Sequence, residues 1–300
     1  MRYAWIVLAF NLAVVLWGAF VRATGAGAGC GKHWPLCNGE VLPRSPGLNT
    51  IIEFTHRVTS GIDLALVALL VLWAFRAFPR RHAVRLGATL SAAFLFTEAL
   101  LGAALVLLEH VAQNPSSARA YSLSAHLLNT LTLLACLTLT AWWATHRAPA
   151  QRHGRALWMA AGSLGIVMIL GVSGAIAALG DTLFPSRSLA EGLARDFDPA
   201  ASIFVRLRIL HPVIAALSGA WLLFYAVASS ARRPDLRPRA WLLIAMLAAQ
   251  ITAGVANLLL SAPVWMQMLH LLLADLLWIS LVLLCAGTLE PSGVSADKSL

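Results

Sequence analysis

Eight apolar stretches, at 3–21, 51–75, 84–108, 121–144, 156–179, 203–229, 240–260 and 264–286, most constrain what this chain can fold into. Each is long enough to cross the roughly 30 Å hydrocarbon core of a bilayer as a helix. In that medium every backbone N–H and C=O must be paired within the segment, so each stretch is expected to be a transmembrane helix. The 300 residues are 59% hydrophobic and only 12% charged, which argues against a soluble domain. The net charge of +9 is therefore no sign of nucleic-acid binding. It belongs to the loops. Arg76, Arg80, Arg81 and Arg85 follow the second stretch, Arg147, Arg152 and Arg155 the fourth, and Arg232, Arg233, Arg237 and Arg239 the sixth, against the single acid Asp235. The other loops mix signs. The positive-inside bias then puts both termini in the cytoplasm. Arg2 and the small residues at 26–30 give the first stretch a faint likeness to a signal peptide. Its length and the seven spans after it favour an uncleaved helix.

Four histidines stand near the beginnings of the even-numbered stretches: His56, His126, His211 and His270. The orientation above puts all four toward the outer face. A histidine inside a membrane helix is costly and marks a functional site unless it is a hydrogen-bonded packing residue. Packing alone does not require the same residue at the same depth in all four even helices. Two pairs of metal ligands are the expectation, with haem iron the metal most readily held between two helices. His33, His82, His110, His146 and His153 lie in or beside loops and lack the pattern.

The histidines belong to an internal repeat. The sequence from His56 aligns with that from His211, and the sequence from His126 with that from His270. In the preceding helices, Trp17-Gly18-Ala19 matches Leu170-Gly171-Val172, and Leu101-Gly102-Ala103 matches Ala253-Gly254-Val255. Small residues there allow close helix approach. Four helices per repeat is an even number, so both halves share one orientation. The expected fold is all-α and polytopic: eight transmembrane helices as two pseudo-symmetric four-helix bundles. The bundles comprise 1–146 and 147–300, joined through a cytoplasmic linker at 145–155.

The halves differ in charge. Glu53 precedes His56 by three residues and shares its helix face. Its counterpart is Arg208. A carboxylate there can move a proton or stabilise developing positive charge, or simply complement a helix N-terminus. The asymmetry favours chemistry in the first half. Arg206 and Arg208 are candidates to meet haem propionates, with boundary anchoring as the alternative. The first outer loop carries Cys30 and Cys37, the only loop cysteines of the chain, which can form a disulfide outside the cytoplasm. Zinc held by Cys30, Cys37 and His33 fits no common spacing. Cys136 and Cys285 lie within helices and read as packing residues.

The run Trp34-Pro35-Leu36-Cys37-Asn38-Gly39, then Glu53-Phe54-Thr55-His56-Arg57, then three further outer-side histidines on eight spans, resembles the heme A synthase family over nearly the whole chain. The resemblance implies an oxidoreductase of the bacterial-type inner membrane that converts the C8 methyl of heme O to a formyl group through an alcohol, for cytochrome oxidase assembly. It implies a haem b cofactor on the iron ligands His211 and His270, and a substrate-haem site at His56 and His126. Glu53 would assist oxidation and Cys30–Cys37 would be a disulfide; Arg57 belongs to the motif without an assigned role. Heme O synthase (protohaem farnesyltransferase) is the implied partner, beside a membrane electron acceptor; a homo-oligomer stays open. The third outer loop, 180–202, lacks the second cysteine pair of some members. The runner-up is a bis-histidine membrane cytochrome b that carries electrons without haem synthesis. A transporter with parallel repeats would need broken helices and midplane charges, whereas the charged residues here gather toward the span ends.

Overall fold

A computed structural model of the protein describes residues 2–146 and 154–290. Arg147, Arg152, His153 and most of the expected linker lie outside the described residues. The order is α1 (Arg2–Ala23), α2 (Leu48–Ala77), α3 (Ala83–Leu107), α4 (Ser117–Trp143), α5 (Arg155–Leu183), the short α6 (Leu189–Asp196) and α7 (Ile203–Arg206), α8 (Leu210–Arg232), α9 (Arg237–Leu259) and α10 (Val264–Leu289). Counting α7 through α8 as one continuous stretch, Ile203–Arg232, eight helices are long and apolar enough to cross a membrane. Among the described residues there is no β-strand, only an isolated bridge between Cys37 and Glu40. The chain is an all-α, multi-pass membrane protein.

Local chemistry sets the helix ends. Ser116 caps α4 by accepting from the Arg119 N–H at 3.3 Å, and Ser188 caps α6 by accepting from the Glu191 N–H at 3.2 Å. Arg22, Arg76 and Arg232 stand in last turns, where positive charge suits the exposed carbonyls. Between α7 and α8 the chain tightens into a 3-10 turn at Leu207–Ile209. Pro212, two residues into α8, has no N–H to donate back along the helix, so regular α pairing is interrupted there.

Helix α1 packs on α2, α2 on α3, α3 on α4, and α4 back on α1. Likewise α5 packs on α8, α8 on α9, α9 on α10, and α10 on α5. Contacts of α4 with α5 and α10, and of α1 with α10, join the two groups. The buried side chains concentrate at that seam, among them Leu133, Leu134, Leu137, Leu281 and Trp278. Trp278 donates its indole N–H to the Leu131 carbonyl at 2.7 Å. Arg22 reaches across to the Ala178 carbonyl and Thr182 hydroxyl, both at 3.1 Å, and to Gln267 at 3.3 Å. The large exposed side chains, such as Ile62, Phe96, Leu217 and Trp241, are those a bilayer would cover.

The structure corrects the reading that charge gathers toward the span ends. Asp63 in α2, Glu98 in α3 and Asp275 in α10 lie well inside their helices. Asp63 is 0% exposed and accepts from the Asn11 amide at 2.5 Å. Asp275 is 2% exposed, and its Oδ2 has no hydrogen-bond partner among the described residues. Single acids vanish in the average of a long apolar window, and only helix packing shows which are buried.

Close approach of α3 and α4 depends on Gly87. A Cβ there would collide with the Thr140 hydroxyl and stand 3.3 Å from the Thr140 Cα. Gly87→Leu should destabilise the protein by about 1–3 kcal/mol through overpacking. Gly162→Leu, where a Cβ meets nothing within 4 Å, should leave stability at or above the parent level. Thermal unfolding midpoints in detergent measure both.

Candidate functional site

The histidines lie at similar distances from the starts of their spans, by different local routes. His56 and His126 sit about two turns into α2 and α4, and His270 about two turns into α10. His211 is the second residue of α8, but α7 and the 3-10 turn precede it, so it too is some two turns along its span. Each imidazole is half-buried and lies over a glycine of the helix before it. A Cβ on Gly18 of α1 would stand 2.8 Å from His56 Cε1. On Gly174 of α5 it would stand 3.0 Å from His211, on Gly254 of α9 3.0 Å from His270, and on Gly102 of α3 3.9 Å from His126. The absent side chains are what give the rings room. One sequence match is corrected here. The partner of Gly18 is Gly174, one helical turn beyond Gly171. Gly171 instead lets α5 approach Leu127 and Leu131 of α4, at 3.3 Å each. A Gly-containing helix offers several registers, and only the ring contact selects one.

His211 and His270 face each other with ring centroids 6.5 Å apart and planes at 89°. Two imidazoles on opposite sides of one metal need roughly this spacing, given metal–nitrogen bonds of about 2 Å and the ring radii. His211 Nδ1 is 3.0 Å from the Ser173 hydroxyl, a partner that can fix the ring's tautomer. His270 Nε2 is 3.3 Å from the Gln250 amide nitrogen, and its buried Nδ1 has no partner among the described residues. Two imidazole nitrogen donors and a gap of this size suit a bis-histidine haem iron.

Glu53 is 3% exposed and fully engaged. Its Oε2 accepts from the Cys30 N–H at 2.8 Å, and its Oε1 pairs with Arg57 Nη2 at 2.5 Å. Arg57 Nη1 donates to the His33 and Leu36 carbonyls, both at 2.5 Å. Cys30 and Cys37 form a disulfide and are 0% and 1% exposed. That disulfide excludes the zinc arrangement with His33. Gly29 lies so close to the Asn49 and Thr50 backbone that a Cβ would collide with it. Thus α2 grips the first loop through Thr50, Glu53 and Arg57. The dipole explanation for Glu53 also falls: α2 begins at Leu48, and no acid stands in its first turn. Arg208, the Glu53 counterpart, plays a matching part with opposite charge. It holds Asp181 of α5 at 2.8 Å and Asp196 of α6 at 2.7 Å. Arg206 is exposed and takes no part in that ion-pair cluster.

Sequence reading missed Glu98. Its Oε1 lies 3.7 Å from His126 Nε2, and its carboxylate accepts from the Asn129 amide at 2.5 Å and from the Thr130 hydroxyl. The available signal was an acid inside an apolar run, four residues before the glycine that faces His126. Among the loop histidines, His82 accepts from the Val84 N–H, His110 meets Ser122, and His146 stacks on Trp142. These are local structural roles. Cys136 and Cys285 are buried free thiols, as expected of packing residues.

The fold is that of a multi-pass membrane protein, and one of its histidine pairs, His211 and His270, has a spacing that one metal ion could bridge. The chain belongs to the COX15-CtaA family, described as cytochrome oxidase assembly protein, which matches residues 1–282. It is 50% identical over 292 residues to a protein of Thermus thermophilus named protoheme IX farnesyltransferase, covering 96% of this chain and 48% of that one. It is 47% identical over 96 residues to the heme A synthase of Bacillus mycoides, covering 32% and 31% of the two chains. With the heme A synthase of Halalkalibacterium halodurans it shares 43% identity over 94 residues, or 31% and 32%. The chain spans about half the length of the Thermus relative.

The loop clamp makes a testable statement. Arg57→Ala should uncover the Cys30–Cys37 disulfide, so that thiol labelling after mild reductant rises several-fold. Arg44→Ala, which removes only an exposed pair with Glu40, should leave labelling unchanged.

Proposed function

We propose that the protein is a heme A synthase, an oxidoreductase that converts the C8 methyl group of heme O to a formyl group through an alcohol. The observation that carries the reading is the facing pair His211 and His270, in a chain of a cytochrome oxidase assembly family with heme A synthases among its relatives. His211 and His270 would hold a resident haem b in a C-terminal bundle, 147–300. His56 and His126 would hold the substrate haem in an N-terminal bundle, 1–146. When bound, the resident haem supplies one-electron chemistry.

The chain's own residues then have definite tasks. His56 and His126 would hold the substrate iron between α2 and α4. Gly18 and Gly102 leave space for those rings. Glu53 and Arg57 hold the disulfide loop against α2 and keep a carboxylate one helical turn from His56. With water as the source of the formyl oxygen, the methyl-to-formyl change releases electrons and protons, and that route requires an electron acceptor. The arginine-rich loops face the cytoplasm of a bacterial-type inner membrane, and the histidine sites face outward. Relatives named for protohaem farnesylation are about twice as long as this chain and match it over nearly its whole length. A farnesyltransferase supplies a farnesylated haem, so we infer that such an enzyme is the functional partner. One observation favours the cytochrome b alternative: both Glu53 oxygens already serve the loop.

The test is expression with a heme O synthase in a host that lacks heme A, followed by chromatography and mass analysis of the bound haems. Heme A or its hydroxylated precursor beside haem b is the expected result. Haem b alone, with heme O present and unchanged, would favour the electron carrier and overturn the synthase reading. His211→Ala and His270→Ala should each abolish the resident bis-histidine spectrum. Glu53→Gln should lower formyl production at least about tenfold if its charge is used in catalysis; full production would leave it as a loop clamp alone.

A further inference from the structure

The two halves can be compared position by position at the helix pair that carries the second histidine of each. Gly102 faces His126 and Gly254 faces His270, which aligns α3 with α9 and α4 with α10. In that register Glu98 corresponds to Gln250, and both meet the Nε2 of their histidine, at 3.7 and 3.3 Å. The neighbours diverge. Thr97 corresponds to Ala249, Asn129 to Leu273, and Thr130 to Ala274. In the first half these side chains form one polar cluster. Asn129 donates to Glu98 at 2.5 Å and to the Phe94 carbonyl at 2.9 Å, Thr97 donates to Asn129 at 2.7 Å, and Thr130 donates to Glu98. Polar groups are expensive in hydrocarbon. The second half packs α9 on α10 without them, so the fold itself does not require the cluster.

The cluster borders a groove of about 540 Å³ between α3 and α4, lined by Phe94, Leu101, Ala125 and Leu128 with Thr97 and Asn129. The groove is open along much of its length. The groove runs from beside His126 along both helices toward the middle of the span. Gly102 also leaves more room than the other three histidine-facing glycines.

We propose that this groove receives the isoprenoid tail of the substrate haem, and that Glu98 and Asn129 recognise the tail's hydroxyl group. The inference rests on the heme A synthase reading. Adding a farnesyl group to a haem vinyl side chain with uptake of water leaves a hydroxyl next to the ring and an apolar chain beyond it. A largely apolar groove whose Asn129 is hydrogen-bonded to Glu98, the carboxylate beside the His126 ring, offers both kinds of contact. A carboxylate has about four acceptor positions, and the protein fills only some of those on Glu98. The haem expected in the second half carries neither tail nor hydroxyl, and there the cluster is replaced by Ala249, Leu273 and Ala274.

The test uses purified protein with its resident haem in place, titrated in detergent with heme O and, separately, with added haem b, which lacks the tail. Absorbance reports binding at the first-half site. The parent protein should bind heme O at least about tenfold more tightly than haem b. Asn129→Leu, Glu98→Gln and the groove-filling Leu128→Trp should weaken heme O about tenfold and leave haem b within about twofold. Resident haem content reports folding for each variant. Equal losses for both haems would make the cluster a mere staple between α3 and α4 and overturn the proposal. No loss for either would mean that the groove holds only lipid, which also overturns it. A parent protein that binds heme O without preference would remove the tail site alone. One that binds no heme O and forms no heme A would remove the functional reading itself.

Discussion

The seating of an imidazole against a bare helix backbone is the constraint on which the rest depends. It occurs four times, at Gly18, Gly102, Gly174 and Gly254. A ring placed there points into the bundle rather than along the helix surface, because the neighbouring helix offers a hollow instead of a side chain. Helix spacing, ring direction and the distance between His211 and His270 are therefore set together. The glycine cost to helix stability is modest in a bilayer, where unpaired backbone cannot compete with the helix.

A second theme is how the protein keeps charge within apolar surroundings. Arg208 sits between Asp181 and Asp196, and Glu53 between Arg57 and the Cys30 N–H. Each shares its charge with a loop and so converts a desolvation cost into an anchoring force. The loops above the two histidine pairs are held by opposite signs at corresponding positions. The difference in charge between the halves is thus first a difference in how each loop is fastened.

Much of this could be read in the chain. The spans declare themselves because a bilayer demands length and apolar character. The four histidines stand out because that medium makes them conspicuous. Cys30 and Cys37 announced themselves as the lone loop pair. Other features depend on a partner helix that no local window contains. The grip of Arg57 on the His33 and Leu36 carbonyls requires the loop to fold back by more than twenty residues. The Gly174 register requires knowing where α8 begins, and Pro212 with its 3-10 turn obscures that start. Glu98 was hidden by the residues that make α3 a span, and its importance lies in Asn129 and Thr130, one helix away.

Arg22 carries a consequence for biosynthesis. It ends the first helix, yet its hydrogen-bond partners are Ala178, Thr182 and Gln267. Most of the chain must leave the ribosome before Gln267 exists. Until then the guanidinium at the end of α1 lacks part of its final coordination, and water or lipid headgroups must serve in its place. Helix α1 is consequently locked in full only after α10 is made, because Gln267 lies 245 residues beyond Arg22.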